Sequence, residues 1–254
     1  MNKERSLSTT FFSKEFPSNW EVEWKANLAT EDPYGFIVSI REASYAGLLK
    51  PFYEAKFMGN MPTGIQYQNL WFHYYGHTKD DKWVRDLVLV QPPDTPILVP
   101  QLKGEAPDMI NASEHNVVLR TEKKGGLTQA IPLKKLAGFL NKFQGELGHS
   151  TQFIGTIDRE RCAVYLTNCL TRRNFSLVAD ISHERSKGRN KCLSQIEIEY
   201  KGISGISSPT PLNQKDVLHE FDELSSKIVN LFDRGVIQPT KTTKLDWLVE
   251  TLNL

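Results

Sequence analysis

The chain has 254 residues, with 31 Lys and Arg against 30 Asp and Glu for a formal charge of +1. That length can bury a sizeable core in one large domain or two small ones, and the near balance of charge excludes a chain-wide polyanion binder while leaving room for a local basic site. Cys162, Cys169 and Cys192 make neither a disulfide framework nor a metal-ligand spacing; no apolar run is long enough for a membrane span and the polar N-terminus is no signal-peptide core, so a soluble cytoplasmic protein is expected.

Residues 1–18 carry Ser, Thr and Lys without periodicity and read as a flexible lead-in to a single domain over 19–254. A first strand is expected from about Asn19 to Leu28, stopped by the turn-type Asp32-Pro-Tyr-Gly35. Strand alternation there puts Glu21, Glu23 and Lys25 on one face and Trp20, Val22 and Trp24 on the other. Phe36 to Phe57 has apolar residues at helical intervals, with Pro51 as a kink or split. Gln66–Tyr75 and Trp83–Gln91 read as strands, but Gly76, Asp80-Asp81 and five prolines between Pro92 and Pro107 make 76–115 a proline-rich, looped excursion. Asn116–Lys124 reads as a short strand and Ile131–Phe143 as an amphipathic helix with Pro132 in its first turn.

From Thr151 to Tyr200 the pattern predicts an antiparallel meander: strands over Phe153–Ile157, Cys162–Cys169, Phe175–Ser182 and Ser194–Tyr200, joined by charged turns such as Asp158-Arg-Glu-Arg161. The last strand, Gln195-Ile-Glu-Ile-Glu-Tyr-Lys201, repeats the first one's arrangement, with Glu197, Glu199 and Lys201 opposite Ile196, Ile198 and Tyr200. E-x-E-x-K occurs at these two places and nowhere else in the chain. A helix over Asn213–Arg234, with a stripe of Val217, Phe221, Leu224, Ile228 and Leu231, and a short helix over Thr242–Leu252 complete the C-terminal part, 213–254. The six histidines read as surface or packing residues. Phosphate-cradling glycine loops, a nucleophile elbow and a dinucleotide fingerprint are absent.

Two solvent-washed charged strands would be the plain explanation, but the faces bearing Trp20, Val22, Trp24, Ile196, Ile198 and Tyr200 need covering, and helices with one apolar stripe are there to cover them. The expected fold is therefore α+β: a closed antiparallel β-barrel, or tunnel, with a polar lumen, covered outside by helices. Carboxylates crowded in such a lumen need neutralising, and their oxygens suit Mg²⁺ or Mn²⁺, while Lys and Arg suit phosphate oxygens.

Glu21-Val-Glu-Trp-Lys25 resembles the E-x-E-x-K signature of the CYTH superfamily, the triphosphate tunnel metalloenzymes, which include thiamine and inorganic triphosphatases, class IV adenylyl cyclases and, more remotely, RNA triphosphatases. Later elements are similar too: a basic Leu170-Thr-Arg-Arg-Asn174, Asp180 on the strand after it, Glu197-Ile-Glu199 and a terminal Thr243-Lys244. The tyrosine–aspartate strand and basic-x-basic pair of the family have no clear match in Gln66–Gln91. The resemblance implies metal-dependent hydrolysis of a triphosphate-containing substrate, with a cyclase-type lyase or a non-catalytic module for a phosphorylated ligand as alternatives. It implies Asp180, Glu197, Glu199, Glu21 and Glu23 as ligands of Mg²⁺ or Mn²⁺, Glu21, Glu23 and Lys25 as catalytic, and Lys25, Arg120, Lys124, Arg172 and Arg173 as substrate-binding. Alternation favours Arg172 over Arg173 as inward-facing unless a bulge intervenes, and Arg120 with Lys124 over Lys123. The expected partner is a small phosphorylated substrate, with no membrane, no nucleic acid except a 5′-triphosphate end, and a monomer or homodimer.

Overall fold

The computed structural model describes residues 20–30, 32–55, 62–101, 117–121, 129–186, 191–203, 214–240 and 242–254. The expected lead-in, Lys123, Lys124 and residues 102–116 of the proline-rich stretch lie outside them. Within the described residues an antiparallel sheet of eleven strands carries four α-helices. β1 (Trp20–Leu28) lies beside β10 (Cys192–Ile203), and the sheet continues through β9 (Arg173–Glu184), β8 (Gln152–Asn168), β3 (Gln66–Lys79), β4 (Lys82–Gln91) and β5 (Ile97–Gln101) to β7 (Ile131–Pro132). Along its other edge β1 pairs first with β6 (Val117–Thr121) and then with β11 (Ile237–Pro239). The short β2 (Phe52–Glu54) pairs with the end of β8.

The closed barrel expected from the sequence is not formed among the described residues. Closure needs each strand to have two neighbours, and no described pairing joins the β1, β6 and β11 side to β5 or β7. The excursion is also smaller than expected: β3 and β4 continue through residues 76–91 as one hairpin turned at Asp80-Asp81, both at positive φ, and Ile97–Gln101 is a strand despite Pro100.

Three apolar layers surround the sheet. The first joins Val22, Trp24 and Ala26 of β1, Ile196, Ile198 and Tyr200 of β10, and Phe175, Leu177 and Ala179 of β9 to α1 (Pro33–Tyr45) and α3 (Gln214–Asn230). α1 starts where the Asp32 side chain accepts a hydrogen bond from the Gly35 N–H at 2.8 Å and Pro33 needs no donor. It ends at Tyr45, and past Pro51, where a kink or split is expected, the chain continues as the strand β2 rather than as helix. The second layer packs α2 (Leu136–Leu147) on Leu87, Leu89, Leu98 and Ile131.

The third layer is on the opposite face of β4, because Val88 and Val90 alternate with Leu87 and Leu89. There α4 (Lys244–Leu252) buries Leu248 against Phe72, Tyr74, Val88, Val90 and Ile157. A polar lumen was expected throughout. Instead the inner face is polar along β1, β10 and β9 and apolar along β3 and β4, where α4 covers it. No described helix is long and apolar enough to cross a membrane.

Candidate functional site

Residues paired across antiparallel strands share a face, and the register therefore fixes which charges meet. Glu23 lies opposite Glu199 and Lys25 opposite Glu197; Gln195 lies opposite Asp180 and Glu199 opposite Ser176; Asp180 lies opposite Arg161 and Ser182 opposite Arg159. Glu23, Lys25, Arg161, Ser176, Asp180, Gln195, Glu197 and Glu199 belong to the inner face, since neighbours in sequence fill the helix-covered layer, and Arg159 and Ser182 join them by strand alternation with Arg161 and Asp180.

Three cations converge on two carboxylates. Lys244 Nζ donates to Glu197 Oε1 at 2.6 Å and to Gln195 Oε1 at 3.2 Å, and lies 3.5 Å from Asp180 Oδ2. Lys25 Nζ is 3.3 Å from the same Glu197 oxygen and 3.2 Å from Glu23 Oε1. The Arg159 Nη2 donates to Asp180 Oδ2 and, at 3.3 Å, to Glu197 Oε2, while its guanidinium carbon stands 5.4 Å from the Phe72 ring at the border of the apolar half. Glu23, Lys25, Arg159, Asp180 and Lys244 are each at most 9 % exposed. Buried charges persist only with partners of this kind.

The mutual fields are strong. Burial works to raise the Glu197 carboxyl, but Lys244, Lys25, Arg159 and Arg161 outweigh it and hold Glu197 well below the usual carboxylate range. Burial also acts on Arg159, which Asp180 and Glu197 nonetheless keep firmly protonated. Lys244 is pushed down to about 8, chiefly by burial and then by Arg159, against the pull of Asp180 and Glu197. It sits at the first position of α4, whose end is fixed by a capping box between Thr243 and Asp246. A cation there opposes the helix dipole, so its placement is dictated by the carboxylates it meets.

The residues singled out from sequence fall into four groups, the last being Arg172 and Arg173. Glu23, Lys25, Asp180 and Glu197 are brought together in the buried cluster. Glu199 lies on the same face but pairs with Lys201 at a more open margin. Glu21 is paired in backbone register with Arg120, and both side chains, like Lys124 as a whole, lie outside the described residues.

The two arginines of 172–173 are placed differently from the expectation. β9 begins only at Arg173, and Arg172 precedes it in an exposed turn at φ 63°, so strand alternation never turns it inward beside Asp180. Arg173 is buried on the opposite, helix-covered side, ion-paired with Glu220 and 3.7 Å from Asp216, both on α3.

Arg159 and Lys244 are the cluster members that reading by segment passed over. Asp158-Arg-Glu-Arg161 has the composition of a turn, yet it lies in the middle of the unbroken 17-residue β8. Period-2 alternation with Ile157 and Ala163 was the signal available for Arg159. Thr243-Lys244 carried only the family resemblance.

Among the described residues Asp180 Oδ1 is buried on this face without a hydrogen-bond partner, and carboxylate oxygens such as those of Asp180 and Glu197 are ligands that Mg²⁺ and Mn²⁺ accept; Ser176 and Ser182, four and two residues away along the extended β9, stand too far apart to share one ion with it. No family model and no curated protein matches the chain. Among solved structures, the S. pombe Pct1 RNA triphosphatase in complex with the Spt5 CTD is 9 % identical over 85 % of this chain and 83 % of that one, with a TM-score of 0.34. A second structure of the same triphosphatase gives 9 % identity, 85 % and 82 % coverage and a TM-score of 0.31. Likenesses this distant assign no activity, and the chemistry of the cluster has to stand on its own residues.

Proposed function

We propose that the inner-face cluster holds the phosphate groups of a triphosphate-bearing substrate and, with Mg²⁺ or Mn²⁺, promotes hydrolysis of its anhydride bond. What supports this reading is the convergence of Lys25, Arg159 and Lys244 on Glu197 and Asp180 within one buried face. Phosphate oxygens would exchange places with carboxylate oxygens as partners of these cations, so ligand charge enters a site already desolvated and preorganised for it. Asp180, Glu197 and Glu23 would hold the divalent ion, which supplies Lewis-acid neutralisation of developing charge when bound. Glu197 stays ionised and serves as an acceptor of charge, not of a proton, near neutral pH. Lys25 and Lys244 orient their Glu197 oxygen from two sides, and Phe72 shields one flank of Arg159 from water.

The test is product formation. Purified protein incubated with inorganic triphosphate, ATP or thiamine triphosphate plus Mg²⁺ or Mn²⁺ is expected to release phosphate, to stop with chelator, and to slow by about 10²–10³-fold in Glu197→Gln. Cyclic AMP as the product would identify a lyase instead. A non-catalytic phosphate-binding module is the second reading, favoured by the lowered Glu197 carboxyl, which removes that group as a general base. It predicts triphosphate binding without turnover and without a need for the divalent ion. Equal ligand binding by wild type and Glu197→Gln, with no product from any substrate, would overturn the hydrolase reading, and a wild type that binds no triphosphate with or without the divalent ion would overturn both.

A further inference from the structure

On the outer face, away from the charged cluster, a second group of side chains converges. His77 of β3 puts its Nδ1 2.9 Å from Asp86 Oδ1 and 3.1 Å from Asp86 Oδ2. His149, just beyond the C-terminal cap of α2 at Gly148, puts its Nε2 3.3 Å from the same Oδ1. One donor atom from each of the three residues lies within 4.8 Å of the others, and the two imidazole rings are 4.2 Å apart.

The backbone is arranged to make this meeting happen. The β3–β4 register passes from Tyr75↔Leu87 to Gly76↔Arg85, so Asp86 is the unpaired residue of a β-bulge. A bulge re-aims its extra side chain, and Asp86 is turned toward the imidazoles with its side chain only 6 % exposed. The strand pair is tight at that point: a Cβ on Gly76 would stand 2.1 Å from the Val84 carbonyl oxygen. His149 arrives from the other side at the C-terminus of α2, where the helix dipole favours a cation.

We propose that His77, Asp86 and His149 form a binding site for a divalent transition-metal ion of the zinc type, separate from the oxygen-lined cluster of the inner face. Two imidazoles and one carboxylate are the ligand types zinc takes, and a tetrahedral ion with bonds of about 2.0–2.1 Å spaces its donors by about 3.3 Å. The 3.3 Å between His149 Nε2 and Asp86 Oδ1 already matches that spacing, and the 2.9 Å between His77 Nδ1 and Asp86 Oδ1 would open by a few tenths of an ångström to receive the ion. Three protein ligands leave a fourth position for water, and the side chains of His77 and His149, at 24 % and 39 % exposed, leave an entry path. The ion ties the end of α2 to the β3–β4 hairpin.

Tag-free, chelator-treated protein titrated with Co²⁺ tests this. One equivalent is expected to give the intense visible bands of a tetrahedral nitrogen-ligated ion, displaceable by Zn²⁺, whereas an oxygen-lined site gives only weak octahedral colour. His149→Ala alters an exposed loop position and is expected to keep the fold, to lose the bands, and to weaken Zn²⁺ binding by at least about 10–100-fold. Zn²⁺ should raise the thermal midpoint of wild type and of Glu197→Gln alike, but not that of His149→Ala. Bands that persist in His149→Ala, or a wild type that binds no Co²⁺ or Zn²⁺ beyond what that variant binds, would overturn the site and leave the three residues as an ion-paired surface array.

Discussion

Adjacent arginines differ here because one residue precedes the strand and the other opens it. Arg172 is exposed at positive φ, and Arg173 is buried against Glu220. Arg172→Ala is therefore expected to change stability by no more than about 0.5 kcal/mol, whereas Arg173→Ala strands a buried carboxylate and should cost about 3 kcal/mol or more; urea melts compare the two directly. Lys244 gives a second residue-scale expectation. The unfolded chain holds this proton up to about 10.5 and the folded chain releases it near 8. Its contribution to folding stability therefore rises with pH across that window, while affinity for a polyanion falls as the charge is lost. Calorimetric titration with inorganic triphosphate from pH 7 to about 9 should show the fall in wild type and a flat profile in Lys244→Met.

Among the elements, α4 has a double task. It closes the apolar half of the inner face through Leu248 and carries Lys244 to the carboxylates. Its seat is Gly155, where an added Cβ would lie 2.9 Å from Leu252 Cδ1 and 3.2 Å from Leu248 Cδ1. Gly155→Val should lift the helix, lowering the thermal midpoint and triphosphate affinity together, while Leu248→Ala leaves a cavity and costs about 2–5 kcal/mol. A variant in which stability fell and affinity did not would separate the two tasks. The strands of β1 and β10 were legible in the sequence because period-2 alternation writes burial directly into residue order. β8 was not, because a charged stretch in mid-strand and a charged turn have the same composition. The position of Lys244 was not legible either, since a helix start is a local signal and the partners waiting there are tertiary. His77, Asp86 and His149 are spread over two strands and the end of a helix, so no sequence spacing announced them.

At the scale of the molecule, α+β character and helix cover followed from residue patterns, but closure did not, because barrel closure depends on the last edge pairing rather than on any strand taken alone. The described sheet stays open between β1 and β5, and its inner face divides into an ionic half and an oily half. β8, β9 and β10 are consecutive, so their pairings join near neighbours in the chain and already set Arg159 against Asp180. Glu23 meets Glu199 from almost the other end. Loop-closure entropy makes such distant pairing the slow part of assembly: acidity gathers early in the local meander, and Lys25 and Lys244, arriving from opposite ends of the polypeptide, balance it only as folding completes.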